Sequence, residues 1–140
     1  MNRTALHAYM SRARYGVISS LAGDGSPQSA LVGIALGPEL EIVFDTLKKT
    51  RKYLNLTARP ACSVVLWWNG EQTVQVEGLA FEPSGADLEQ YREIYFTAWP
   101  DGRDRLAWEG ITHLVVRPHW IRVTDYDQSP PLIEESTFAF

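Results

Sequence analysis

The chain carries a single cysteine, Cys62, so no internal disulfide can form. Its setting in the apolar run ACSVVLWW reads as a small buried residue. No stretch approaches the roughly 20 apolar residues that a bilayer-spanning helix needs. The N-terminal MNRTALHAYMSRARYG also lacks an apolar run of signal-peptide length. A cytoplasmic location with no membrane partner is the expectation. A formal net charge of −4 argues against general nucleic-acid binding, which requires a basic face. Gly-x-Ser-x-Gly, paired-cysteine and His-Glu-x-x-His motifs are all missing. The 3 histidines, His7, His113 and His119, are too scattered for a metal site. The sequence therefore assigns neither catalytic side chains nor metal ligands. No repeat or linker divides the chain, so one domain over 1–140 is expected.

What is present suits an ordinary globule: 140 residues, 45% hydrophobic and 21% charged. A chain of this size buries roughly 70% of its unfolded surface and needs neither metal nor disulfide to fold. Leu6, Tyr9, Met10 and Ala13 recur at helical spacing and predict a short amphipathic helix over 4–13. YGVISSL (15–21) and SALVGIAL (29–36) flank the turn-forming AGDGSPQ and predict a hairpin, with LEIVFD (40–45) as a third strand. Three neighbouring strands in sequence order suggest an antiparallel meander.

Tyr53, Leu54, Thr57 and Ala58 predict a helix that Thr50 caps and Pro60 follows. Asn69-Gly70 between ACSVVLWW and EQTVQVEGLAFE is a strong hairpin signal. Trp67 and Trp68, adjacent on a strand, must face opposite ways. Ser84 with Asp87 resembles a capping box, opening a helix whose Leu88, Tyr91, Tyr95 and Trp99 share a face. THLVVR and WIRVTDY are two further strand candidates, followed by an irregular tail around Ser129-Pro130-Pro131. Together these elements predict a mainly β (α+β) fold, an antiparallel barrel with peripheral helices.

The segment KKTRK places Lys48, Lys49, Arg51 and Lys52 at the start of the helix predicted from Thr50. A helix N-terminus carries about half a positive charge and favours anions, so cations gathered there call for a negative ligand. First-turn N–H groups, the Thr50 hydroxyl and the Arg51/Lys52 pair would suit a phosphate. Solvent screening would also make the cluster tolerable without one, and charge alone leaves both readings open.

YGVISSLAGDGSPQSALVGI, VFDTLKKTRKYLNLTARPACSVVL and TVQVEGLAFE, in this order and spacing, resemble the pyridoxamine 5′-phosphate oxidase-like flavoprotein family over nearly the whole chain. The resemblance implies an FMN-binding split β-barrel that works as a homodimer with the flavin at the subunit interface. It places the FMN phosphate on Thr50, Arg51 and Lys52. The ring would lie beside Asp45 and Thr46 and along Ser29, Ala30, Leu31 and Val32, largely through main-chain groups. Ser29 stands where the family often carries Arg. Thr73 falls where the oxidases carry a flavin-contacting Gln, with Gln72 or Gln75 as substitutes, although a one-residue shift is costly because it reverses the side-chain face. Trp99, Trp108 and Trp120 are candidates to border the flavin from the second chain.

The C-terminal PHWIRVTDYDQSPPLIEESTFAF departs from the Arg- and His-rich substrate clamp of the oxidases. The resemblance then points to FMN chemistry on a small molecule other than the vitamin. Three readings stay open: an FMN-dependent oxidoreductase, a flavin-binding or sensing protein, and a relative using a deazaflavin or haem.

Overall fold

The structure, a computed structural model, describes residues 1–138; the last two positions of the expected domain lie outside them. Helix α1 (Arg3–Met10) is capped by Asn2, whose side chain accepts from Ala5 N, and it buries Leu6 and Met10. Strands β1 (Tyr15–Leu21) and β2 (Pro27–Gly33) form the expected hairpin, pairing Val17 with Leu31 and Ser19 with Ser29. Next come β3 (Ala35–Leu36), β4 (Ile42–Leu47), α2 (Arg51–Ala58), β5 (Ala61–Asn69) and β6 (Gln72–Phe81). Helix α3 (Gly85–Ala98), a 3-10 segment over Pro100–Ala107, β7 (Ile111–Asp125) and β8 (Leu132–Thr137) complete the described chain.

The strands form one antiparallel sheet in the order β2-β1-β5-β6-β7-β4-β3, with β8 added on β7. Strands β2 and β3 stand at opposite ends of that order, yet only Ile34 separates them in the chain. The ends of the sheet are thus covalently tied, and it must curl into a barrel. Closure is incomplete. Among the described residues, β4 bonds only β7 beyond its short pairing with β3, and β2 bonds only β1, so the facing edges of β2 and β4 leave a seam. This is the split barrel with peripheral helices that the sequence predicts.

The predicted meander is corrected here. The third strand, β4, does not lie beside β2 but crosses to pair with β7, placing Asp45 opposite His113 and Thr46 opposite Thr112. The tight turn into it sets Leu40 at φ 68, a left-handed conformation that a fully buried leucine side chain holds in place. The two strand candidates after residue 110 are one 15-residue strand, β7, irregular in its pairing with β6 near Pro118. Ser84 is the N-cap of α3 but makes no side-chain cap bond, so no capping box forms. The tail is not wholly irregular, because Leu132–Thr137 pairs with β7.

Two clusters of buried side chains follow from the pleat. Ile18, Phe44, Leu66, Val76, Leu114 and Ile121, among others, fill the barrel with Leu6 and Met10 of α1. A smaller cluster joins Val43 and Val115 to Tyr95 and Phe96 on the under-surface of α3. Residues 112–116 are therefore covered on both faces, which is why THLVV reads as a continuous run rather than an alternation. The outer face of β1, β2, β5 and β6 has no such cover and exposes Tyr15, Val17, Leu31, Val65, Trp67 and Leu79 by 40% or more. Trp67 and Trp68 divide as expected: Trp67 lies on that face, while Trp68 packs on the core edge-to-face with Tyr9 at 4.8 Å.

A candidate anion corner at the barrel seam

The candidate site begins at the cap of α2. Thr50 is extended at φ −74, ψ 153, and its Oγ1 accepts from Tyr53 N at 3.4 Å. The same hydroxyl donates to Leu47 O at 2.8 Å, so the 2.8 Å bond to Thr46 Oγ1 is donated by Thr46. Thr46 is 5% exposed, and its buried hydroxyl locks β4 to the helix start. Thr50 thereby shapes the turn, with its own proton committed to the backbone. Arg51 N and Lys52 N, the first N–H groups of the helix, have no intrahelical acceptor. Asn55, one turn on, donates to Ser20 Oγ at 3.1 Å and Gln28 Oε1 at 2.9 Å, seating α2 across β1 and β2.

Between the helix start and β2 lies a pocket of about 440 Å³ lined by Gln28, Ser29, Ala30, Thr50, Arg51 and Lys52, with Lys49 at its rim. Lys48 turns aside to Glu82, at 3.9 Å. Lys49, Arg51 and Lys52 have no carboxylate within salt-bridge distance among the described residues. Burial pulls the Lys52 ammonium pKa below its ordinary value, and the negative field of Asp45 partly opposes that pull. A half-buried ammonium and two further cations line this pocket beside the first-turn N–H groups of α2, a donor set chemically suited to a small, multiply charged oxyanion.

The structure gathers some of the residues predicted for the site and separates others. Ser29, Ala30, Thr50, Arg51 and Lys52 meet at the pocket, with Thr46 behind the cap. Leu31 points outward at 68% exposure and Val32 inward at 7%, so those two can serve the seam only through the free backbone edge of β2. The carboxylate of Asp45 does not enter the pocket: it lies under the 3-10 segment, accepting from Arg105 Nε at 2.6 Å. Thr73 stands apart, bonded to Thr124 Oγ1 at 2.6 Å and paired with Trp67 across β5. Trp99 is engaged within its own chain, donating to Ile34 O at 2.9 Å beneath the Arg14 guanidinium.

Sequence reasoning missed Ser20, Gln28, Asn55 and Arg105. The polar side chains of the first three become neighbours only through the hairpin and the helix docking, and Arg105 sits in a charge-dense stretch where no spacing singles it out.

Behind Asp45, His113 is fully buried, with neither ring nitrogen bonded. Its ring meets Tyr95 edge-on at 5.2 Å and Phe96 at 5.6 Å. Burial pushes its pKa down to about 4, against the opposing pull of Asp45. Burial likewise pushes the Cys62 thiol up to about 12, which leaves it a poor nucleophile. On the uncovered outer face, a second cleft of about 660 Å³ runs past Ser19, Ser63, Glu77 and Trp120 and meets the anion corner at Ser20.

The fold is a split β-barrel, with a pocket lined by cations at the start of α2 beside its seam. The family model of pyridoxamine 5′-phosphate oxidase matches residues 3–123, and the chain belongs to that family. The pyridoxine/pyridoxamine 5′-phosphate oxidase of Thermosynechococcus vestitus is 29% identical over 105 residues, 74% of this chain and 48% of that protein. The chain spans about half the length of the curated relatives it matches. A haem-binding protein from Mycobacterium smegmatis superposes with TM-score 0.81 at 18% identity, covering 94% of this chain and 56% of that one. A pyridoxamine 5′-phosphate oxidase-related, FMN-binding protein from Nostoc punctiforme superposes with TM-score 0.70 at 11% identity, covering 98% and 96%. At such identities these two likenesses speak for the fold. No helix among the described residues is long and apolar enough to cross a membrane.

Proposed function

We propose that the protein is a cytoplasmic FMN-binding homodimer that serves as an oxidoreductase for a small molecule. The observation that carries this reading is the convergence of Lys49, Arg51 and Lys52, without carboxylate partners among the described residues, on the open N–H groups of α2. That donor set fits the phosphate monoester of FMN. Charge-assisted bonds from Arg51 and Lys52 would hold the phosphate, and the free edges of β2 and β4 would offer main-chain partners to the ring. FMN, when bound, supplies the hydride or electron chemistry, while this chain orients it and excludes water. Family membership and the FMN-binding Nostoc punctiforme neighbour support the same assignment.

The second copy is proposed to cover the outer face of β1, β2, β5 and β6. The apolar row Leu31–Val17–Val65 crosses that face, and such a patch on a small barrel favours association. Thr73, distant from the pocket of its own chain, would then reach the flavin from the partner.

Comparing FMN with riboflavin tests the reading. FMN is expected to bind more tightly. The double substitution Arg51→Ala/Lys52→Ala should weaken FMN by about 2–4 kcal/mol, two charge-assisted contacts with incomplete additivity, while barely touching riboflavin. Unchanged FMN affinity in that variant, followed by fluorescence quenching, refutes the assignment. The visible spectrum of freshly purified protein separates flavin from haem, and anaerobic reduction by a nicotinamide donor separates an enzyme from a binder.

A further inference from the structure

Along β2 the side chains alternate between two faces: Leu31 points outward and Val32 inward, so Ser29 shares the outer face and Gln28 the inner one. Gln28 pairs with Ser20 across the hairpin, which sets the two side chains side by side on the face that meets α2. Both line the pocket at the start of that helix. Asn55 Nδ2 donates to both, to Ser20 Oγ at 3.1 Å and to Gln28 Oε1 at 2.9 Å. These two bonds fix which donors remain. With its amide oxygen held by Asn55, Gln28 keeps both N–H groups of Nε2, and Ser20, whose oxygen accepts from Asn55, keeps its hydroxyl proton. Neither donor has an acceptor among the described residues. Ser20 is only 4% exposed, and a buried donor without an acceptor carries a penalty that an acceptor in the pocket would lift.

We infer that Ser20 and Gln28 are neutral donors to a phosphate group in this pocket, and that Asn55 is the positioning residue that keeps both aimed at it. Neither donor is among the residues that the family resemblance assigns to the flavin, and Asn55 acts through them rather than on the ligand. The inference rests on the FMN reading above and adds to it an uncharged set of contacts on the sheet side of the pocket, opposite the cations of α2. Added salt weakens attraction between full charges and affects neutral donors less, so the two sets can be told apart.

The test measures FMN and riboflavin affinity in parallel, at low and high salt, for the wild type, Gln28→Ala, Ser20→Ala, Asn55→Ala and Gln28→Ala/Asn55→Ala. Gln28→Ala should weaken FMN about tenfold, as the loss of one hydrogen bond to a charged group would, and Ser20→Ala about 3–10-fold. Each should leave riboflavin, which has no phosphate, within about twofold. Each should also leave the salt dependence of FMN binding unchanged, whereas Arg51→Ala/Lys52→Ala should flatten it. Asn55→Ala should weaken FMN about 3–10-fold by releasing both donors, and should cost less when added to Gln28→Ala than it costs alone.

Wild-type FMN affinity in either Gln28→Ala or Ser20→Ala overturns the inference, as do fully additive losses in the double variant. An equal fall for FMN and riboflavin also overturns it, by showing general damage to the hairpin. Should Asn55→Ala fail to fold, Asn55→Asp decides, because an acceptor-only carboxylate draws both donors to itself. A fall in its FMN affinity that persists at high salt supports the inference, and wild-type affinity at high salt refutes it. If Arg51→Ala/Lys52→Ala loses FMN while Gln28→Ala does not, the neutral donors fail and the FMN reading stands. A wild type that binds riboflavin as tightly as FMN removes both together.

Discussion

The two halves of the sheet contrast in what covers them. Around β4 and the first half of β7 both faces are dry: the barrel interior lies on one side, and Tyr95 and Phe96 of α3 lie on the other. Around β1, β2, β5 and β6 the inner face is as well buried, but the outer face presents Val17, Leu31, Val65 and Leu79 to solvent. The same pleated backbone carries both halves. The difference teaches that α3, inserted between β6 and β7, completes one half within the chain and leaves the other half uncovered, the face proposed above for a second copy.

Removing the cover is the harshest way to break this comparison. Phe96→Ala should cost about 3–5 kcal/mol, the usual range for deleting a buried aromatic side chain, as read by denaturant unfolding. A cost below about 1 kcal/mol would mean that α3 is a dispensable lid.

The covered half also contains a titratable weakness in His113. Above the unfolded pKa near 6.5 the imidazole is neutral in both states and contributes no pH dependence. Between 6.5 and the folded value of about 4 the unfolded chain takes up a proton that the folded chain refuses, so stability falls as the pH drops. The total loss should approach about 3 kcal/mol and level off below the folded value. His113→Leu should flatten this slope in unfolding measured between pH 7 and pH 4. An unchanged slope would assign the acid sensitivity to other groups.

A smaller effect is expected at the cap that joins the halves. Thr50→Ala removes a typical N-cap contribution of about 1 kcal/mol and should also loosen the turn that presents Arg51 and Lys52. FMN affinity measured beside the thermal midpoint would separate the two consequences.

The gentlest change to intrinsic stability should come from the uncovered half. Val17→Lys lies in the middle of an exposed row, where surface substitutions usually stay within about 0.5 kcal/mol. It should nonetheless turn the proposed dimer into a monomer in sedimentation and abolish the dependence of the unfolding midpoint on protein concentration. A variant that stays dimeric would move the interface to another surface.

What the sequence disclosed was local. The cap at Thr50, the hairpin at Asn69-Gly70 and the opposed tryptophans each follow from neighbours a few residues apart. The cation cluster was equally legible, because a helix start and its charges are contiguous. Pairing of β4 with β7 was not, since it joins Asp45 to His113 across the whole middle of the chain, and no local signal competes with the simpler meander. The β8 strand was hidden behind Ser129-Pro130-Pro131, and Arg105 behind the surrounding charges of its loop. The resemblance set Asp45 beside the ring through its main chain and left its side chain unassigned; only the tertiary structure reveals that the carboxylate turns toward Arg105.

The single residue Ile34 between β2 and β3 has a mechanical consequence. Consecutive Cα atoms are about 3.8 Å apart, so Gly33 and Ala35 can separate by no more than roughly 7 Å. The seam is pinned at that end like the spine of a book, and breathing motions can widen it only toward α2. The free end of the slot therefore lies beside α2, where Lys49, Arg51 and Lys52 line the pocket.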